Sequence, residues 1–438
     1  MGLGLSHFIP VIAYVGFWIM CLVSLGGQPK WGLYFMIPFL PYRSMRNHFN
    51  DYPLGENTLT LLLLAIIVGA IIHGKKLPKS SLYPTWLIIG VYLYLSMWMG
   101  AALGNAPPPL WVHNPNFLIW KSYMMIPLVF IATSMVVDDR KSIRTVIIIT
   151  ALTLLVIDRS AIGESMQHTW SSFDESKRDV GPLAYGSNLT GAFLAQFAMF
   201  FWGVLQFVKS KKFKLLGYGL VALTLYATMY TFSRGAYGAV LFAALVLGVL
   251  KDRKILIVMG VFLLSWQTVV PTAVRERVTM TTNEKGQLEA SAHERVDLWK
   301  ESWTSIVHSP IVGNGYATFS FGKHVYDLND THNWWVLVMV EQGIIGLIMA
   351  LVLFAQLFAI SFRLFRKAKD PLYKGLGLGL VLAMSSAFVA NCFGDRWTYL
   401  EIGGLLFVLF GIAARAAQLT PQEVAERPQL VAKVPVAS

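Results

Sequence analysis

"YATMYTFSRGAYGAVLFAAL", residues 226–245, sets one arginine, Arg234, between two apolar stretches that are each long enough to enter a bilayer. A charge at mid-membrane costs at least ~2.5 kcal/mol. Arg234 therefore marks the end of two adjacent spans, not the middle of one. The rest of the chain has the same character: 55% of its 438 residues are apolar, 14% are charged, and its mean hydropathy is +0.55. That composition lies far outside the soluble globular range and predicts an all-α polytopic membrane protein.

A hydrocarbon core of about 30 Å takes roughly 20 apolar residues of helix. Twelve runs qualify: 8–25, 57–74, 83–103, 118–137, 143–158, 189–208, 213–232, 235–250, 255–270, 333–361, 372–392 and 397–415. The piece "WGLYFMIPFLPY" (31–42) is short and carries two prolines, so it reads as re-entrant or interfacial; counting it would make thirteen spans and flip the N-terminus. The first run has only "GGQPKW" behind it, so it reads as a retained span and not a cleaved signal peptide. The expected organisation is one transmembrane domain, 1–415, and a disordered cytoplasmic tail, 416–438.

The formal charge of +12 is spread in short clusters between apolar runs, a pattern that serves membrane orientation and not nucleic-acid binding. The loops "GKKLPKS" (74–80), "DDRKSIR" (138–144), "KSKKFK" (209–214), "KDRK" (251–254) and "RLFRKAK" (363–369) hold the Lys and Arg, which puts them in the cytoplasm. With twelve spans, both termini are cytoplasmic. The opposite face receives 159–188, the turn at Ser233, a long loop from 271 to 332 and the corner "GDRW" (394–397). Cys21 and Cys392 both fall inside apolar runs, which argues against a disulfide framework or a thiolate metal site.

The long loop is organised. "AHERVDLWKESWTSIVHSP" predicts an amphipathic helix with Val296, Trp299, Trp303 and Ile306 on one stripe, stopped by Pro310, lying on the membrane surface or on the bundle. Arg275, Arg277, Arg295 and Arg396 join Arg234 on this outer face, where basic residues are normally sparse. Guanidinium pairs with phosphate oxygens in a bidentate fork, so these positions point to a phosphorylated ligand; the plain alternative is snorkelling and local ion pairing, for Arg295 with Glu294 or Asp297. His332 sits where the loop meets the membrane, placed to act as a general base or, more plainly, as a polar boundary residue. Asp327, Asp330 and His332 in "DLNDTHN" are weak metal ligands on one loop, and no metal or other cofactor is expected.

The order "SRGA" at the end of a span, Arg295 to Trp299, "P…GNG", then "HN" followed by "EQGIIG" resembles the C-terminal region of the O-antigen ligase and polymerase superfamily, over roughly residues 185–350. The resemblance implies a GT-C-like membrane glycosyltransferase of the bacterial inner membrane with its active site facing the periplasm. Such an enzyme moves a glycan from an undecaprenyl pyrophosphate carrier to an acceptor hydroxyl on a glycan, lipid A core or protein, inverting and without metal. Carried over by motif, Arg234 and Arg295 hold the donor diphosphate and His332 activates the acceptor, with Arg277, Arg275 and Arg396 as secondary diphosphate candidates.

The competing reading is a transporter or flippase of a lipid-linked anion, which places its charges near the midplane in two related halves. Lys121 and Asp158, within or near spans, are its best support, though both also read as snorkelling boundary residues. "GLGLGL" (375–380), Gly343 with Gly346, and Gly235 with Gly238 read as sites of close helix packing.

Overall fold

The computed structural model describes residues 8–431 except 104–105, 111–113, 179–180, 281–289, 323 and 326–329; for 290–292 and 420–431 it describes the backbone alone. The described residues form helices and connecting turns. In chain order these are α1 (Phe8–Leu25), α2 (Pro29–Met36), α3 (Arg43–Asn47), α4 (Thr58–Ile72), α5 (Leu82–Leu103), α6 (Pro115–Val136), α7 (Arg140–Ser165) and α8 (Ser187–Leu205). They continue with α9 (Lys211–Tyr230), α10 (Arg234–Leu250), α11 (Lys254–Val269), α12 (Thr272–Thr279), α13 (Ala290–His308), α14 (Trp334–Lys367), α15 (Pro371–Ala390) and α16 (Leu400–Val431).

Each of the twelve apolar runs is a helix. Among the described residues nine helices are long and apolar enough to cross a membrane, or ten if α11 and α12, bent by 110°, count as one span. The protein is a multi-pass membrane protein. α10 is a shorter apolar helix of 17 residues. α9 opens with "KKFK", which dilutes its apolar character.

The bundle has two chemically distinct ends. At the basic end, Lys30 and Lys75 both pair with Asp138, Arg140 pairs with Asp370, and Gln418 reaches the Lys79 carbonyl. At the other, here the loop end, Arg46 pairs with Glu401, and Ser44 donates to the Pro182 carbonyl at 2.9 Å.

These contacts correct the expected topology. Lys30 lies at the basic end and Arg46 at the loop end, so residues 30–43 run between the two ends as a thirteenth connection. α1 starts at the loop end, where Tyr14 stacks on Tyr52 and donates to the Pro53 carbonyl, and finishes beside Gly69 near the basic end of α4. Among the described residues α1 therefore starts at the loop end and α16 passes the basic end, so the first and last helices do not open and close on one side as expected. Pro38 and Pro41 end the helical stretch too early for a hydropathy count to register a span. Leu33, Met36, Ile37 and Leu40 are fully buried, and irregular backbone at membrane depth is tolerated where protein surrounds it.

The centre is α15, packed on α8, α10 and α14. The "GLGLGL" run acts as expected there: a Cβ on Gly203 would lie 2.7 Å from the Gly379 Cα, and one on Gly377 would lie 2.3 Å from the Phe365 nitrogen. Backbones at that separation gain dispersion contacts that lipid tails cannot match. Asp158 does not snorkel; it is fully buried in α7, where the Thr224 hydroxyl of α9 donates to it at 2.7 Å. α16 is helical to Val431, past the residue, 416, at which the tail was expected to start.

Candidate active site

Arg234 is the first residue of α10, and the preceding Ser233 caps that helix by accepting from the Ala236 N–H at 3.4 Å. The chain reaches the cap through Phe232, whose φ of 52° is left-handed for a bulky residue. A helix start presents free N–H groups and the positive end of the macrodipole, so the sequence "SRG" adds a guanidinium where an anion is already favoured. Around this point the fold gathers Arg277 from α12, Arg295 from α13 and Arg396 from the α15–α16 corner. All four arginines, with Asn188 and Ser233, line one narrow pocket of about 20 Å³. Gly235 lets the corner approach: a Cβ there would meet the Phe393 Cβ at 2.8 Å, whereas Gly238 has 4.0 Å of room and no such duty.

One of these arginines, Arg277, is held together with a fifth, Arg178, by a carboxylate that sequence reading did not single out. Glu175 receives Arg178 on one carboxylate oxygen and Arg277, at 3.3 Å, on the other. Arg178 also donates to Asn188 and to the Thr231 carbonyl at 2.9 and 3.0 Å, and Arg277 stacks over Phe173. Both guanidinium side chains are buried under this one carboxylate. Arg178 lies beyond the recognisable motifs, on a loop whose approach is a long-range event. Arg275 is not brought in; its guanidinium donates to the Gln267 carbonyl at 3.1 Å, at the exposed end of α11.

His332 stands beside the pocket, close enough to Arg295 and Arg396 that both depress its basicity; burial is the largest cause holding its pKa below the usual histidine range, and Asp330 opposes the shift. Each residue of "DTHN" fixes its orientation. Asp330 accepts from the His332 N–H at 3.0 Å and its other oxygen sits 3.7 Å from Nδ1. The Thr331 hydroxyl donates to the Asn333 carbonyl, and Asn333 caps α14 by accepting from Trp335 and Val336. His332 itself has φ 53°. A non-glycine residue held in that region is found where the surroundings over-determine it, often at functional sites. His324 lies in the same loop but differs, since its two ring nitrogens face Glu301 and the Phe319 carbonyl, each at 2.6 Å. Of the weak metal set, Asp327 lies outside the described residues.

The "P…GNG" and "EQG" motifs form a clamp that holds this loop. α14 breaks at Gly343, with φ 62° and ψ −162°. The break frees backbone groups that the loop then satisfies: Ile344 N–H donates to Pro310, while Asn314 and Gly315 donate to Val340 and Glu341, all at 2.9 Å. The Glu341 carboxylate accepts from Ala317 and Phe319 N–H groups, each at 3.0 Å. Gly343 and Gly346 are thus not a helix-packing pair, as expected from sequence; Gly343 is a hinge against Ile311, which a Cβ would approach to 2.4 Å. Gly343→Ala is expected to destabilise the loop by roughly 2–4 kcal/mol through left-handed strain and that clash. Limited proteolysis of purified protein checks this, with faster cleavage between 290 and 332 than in wild type; equal cleavage rates would count against the clamp.

α13 forms as expected, but its stripe divides. Ile306 is buried with Leu298 against α14 and Phe319 and Val296 is half-buried, whereas Trp299 and Trp303 are exposed. Trp299 donates to the Thr331 carbonyl at 3.0 Å, tying α13 to the His332 turn.

Beside the arginine pocket lies a cavity of about 620 Å³, within the range of ligand-binding clefts. Asp395 lines it while its neighbour Arg396 lines the narrow pocket, and Asp330 lines it from beside His332. Asp395 caps the corner by accepting from the Trp397 and Thr398 N–H groups at 2.9 and 3.1 Å, and burial pushes its pKa up to about 6.

Residues 219–351 match a family model described as O-antigen ligase. The match runs from α9 to the middle of α14, under half of the chain, and includes Arg234, Arg277, Arg295, His332 and the Gly343 break. Over that stretch the chain is similar to O-antigen ligases. No curated protein matches the chain.

Proposed function

We propose that this membrane protein transfers a glycan from an undecaprenyl pyrophosphate carrier to an acceptor hydroxyl at the loop end of the bundle, which faces the periplasm from the bacterial inner membrane. The observation that carries this reading is the convergence of Arg234, Arg277, Arg295 and Arg396 on one pocket with His332 beside it. The pocket is narrower than a diphosphate, so donor entry parts the guanidinium groups, which then close on its oxygens as forks.

In the proposed step His332 Nε2 takes the acceptor proton, because Nδ1 faces Asp330. The acceptor oxygen bonds to the anomeric carbon as the carbon–oxygen bond to the diphosphate breaks. The electron pair leaves on the pyrophosphate, whose growing charge the arginines neutralise. One displacement inverts the anomeric centre. Asp330 then stabilises the imidazolium until its proton is released to solvent.

Deleting the gene and separating the surface glycans on a gel tests the function and sorts its acceptor. Polymer stranded on the lipid carrier indicates a ligase, single repeat units a polymerase, and loss of a glycoprotein band a protein-directed transferase; an unchanged glycan profile would remove the proposal. The metal-free step makes a separate prediction. Excess chelator is expected to leave the purified enzyme's turnover within about twofold, because guanidinium supplies the cationic role. Inhibition reversed by magnesium or manganese would overturn it.

A further inference from the structure

α13 carries three neighbouring rows of side chains, each recurring at every fourth position. Leu298 and Ile306 are buried against α14 and Phe319. Lys300, Thr304 and His308 form an exposed polar row. Between these two rows run Trp299, Trp303, Val307 and, just past the helix end, Ile311, all exposed, Trp303 by 66% and Ile311 by 62%. Among the described residues nothing covers this apolar row.

The height of α13 follows from α14. The uncharged run 344–362, between the Gly343 break and Arg363, spans about 28 Å at about 1.5 Å per residue, close to the ~30 Å of a hydrocarbon core. The loop-end boundary of the membrane therefore falls at Ile344. Ile311 is fixed at that boundary: the Ile345 N–H donates to its carbonyl at 3.3 Å, and the Ile344 N–H donates to the Pro310 carbonyl at 2.9 Å. The other end of α13 stands at a similar height. α14 and α15 keep one antiparallel register, Gly377 against Phe365 and Phe388 against Phe354, which puts Phe393 within two turns of Gly343. Arg295 shares its pocket with Phe393 and Arg396. α13 thus lies across the end of the bundle, along the membrane surface. From Ile311 its apolar row runs on into Ile344 and Ile348, which are exposed on the part of α14 that crosses the hydrocarbon.

We propose that α13 is an interfacial helix whose Trp303, Val307 and Ile311 insert into the lipid leaflet at the loop end. Apolar side chains held at the hydrocarbon edge gain by leaving water, tryptophan favours the headgroup level, and the polar row stays in solvent. Lipid on one face and α14 on another then hold the helix that carries Arg295 to its pocket and, through the Trp299 bond to the Thr331 carbonyl at 3.0 Å, steadies the His332 turn.

The test reads depth from nitroxide labels on the full chain in phosphatidylcholine–phosphatidylglycerol nanodiscs, in a Cys21→Ala, Cys392→Ser background. Single labels go onto Trp303→Cys, Val307→Cys and Ile311→Cys, and onto Lys300→Cys, Thr304→Cys and His308→Cys. Power saturation compares collisions with oxygen, which enters lipid, and with a nickel chelate, which stays in water. The apolar row is expected about 5–10 Å below the lipid phosphates, with oxygen favoured, and the polar row above them, with nickel favoured. Nickel-dominated collisions at all six sites would place the helix in water and overturn the proposal. Shielding of the apolar row from both reagents would mean that a protein covers it, and would overturn the proposal equally. Should the cysteine-free chain fail to fold, quenching of tryptophan fluorescence by acyl-brominated lipid replaces the labels. Trp303→Tyr should then lower the quenched fraction, and an unchanged fraction would count as failure. Depth is read without substrate, so either result leaves the transfer reaction to its own tests.

Discussion

Arg295→Ala and Arg234→Ala are each expected to reduce release of undecaprenyl pyrophosphate by about 10² to 10³, the usual effect of deleting one preorganised electrostatic partner from an active site. The two should differ in kind. Arg295 reaches the pocket from α13. Arg234 also donates to the Met280 carbonyl at 2.7 Å, so its loss frees the C-terminal end of α12 as well and should raise the donor KM more. Lysine substitutions sharpen the reading, because lysine keeps the charge and loses the fork; they should fall between wild type and alanine. The measurement is turnover of purified variants that insert and melt like wild type. Near-normal product from both alanine variants would remove the diphosphate assignment.

Loss of His332 is expected to act on turnover and spare donor binding, by roughly 10² to 10⁴ in rate. His332→Asn is the better variant, since asparagine accepts the left-handed backbone that alanine resists. Its pH dependence gives an independent check. A base must be neutral, and a histidine held below its usual range stays neutral further into acid; activity should hold through neutral pH and fail only as pH drops through the lowered pKa. Asp330→Asn removes the one neighbour that raises that pKa besides Glu294, so the acid limb should move to still lower pH. Arg396→Gln removes a depressing charge and should move it up. Asp395 titrates at about 6 in the same region, so the limb is best assigned in an Asp395→Asn background. Turnover unchanged in His332→Asn would rule it out as the base.

Part of the site was legible from residue order. "SRGA", Arg295 and "HN" each sit on a local feature, a helix start, a helix face and an N-cap, that short-range sequence specifies, and Arg234, Arg295, Arg277 and Arg396 do line one pocket. Arg275 shares their side of the bundle and the helix of Arg277, yet it points to Gln267. Neighbouring positions on a helix face different directions, and no motif distinguished the two. Arg178 and Glu175 escaped notice because their roles depend on a loop folding back onto α12. The "EQG" motif was visible, but its function as a broken helix clamped by "GNG" needed the partner strand of backbone to be in view.

The sequence by itself determined the helices, their apolar lengths and the basic end of the bundle, because helix formation and hydrocarbon burial are local properties of some twenty residues at a time. Only the tertiary structure decided that residues 30–43 connect the two ends, which arginines share a pocket, and that Lys121 lines a cavity instead of reaching for the membrane surface. Those outcomes depend on which distant segments exclude water and lipid from one another, and the packing of α8, α10, α14 and α15 that arranges them is a property of the whole chain.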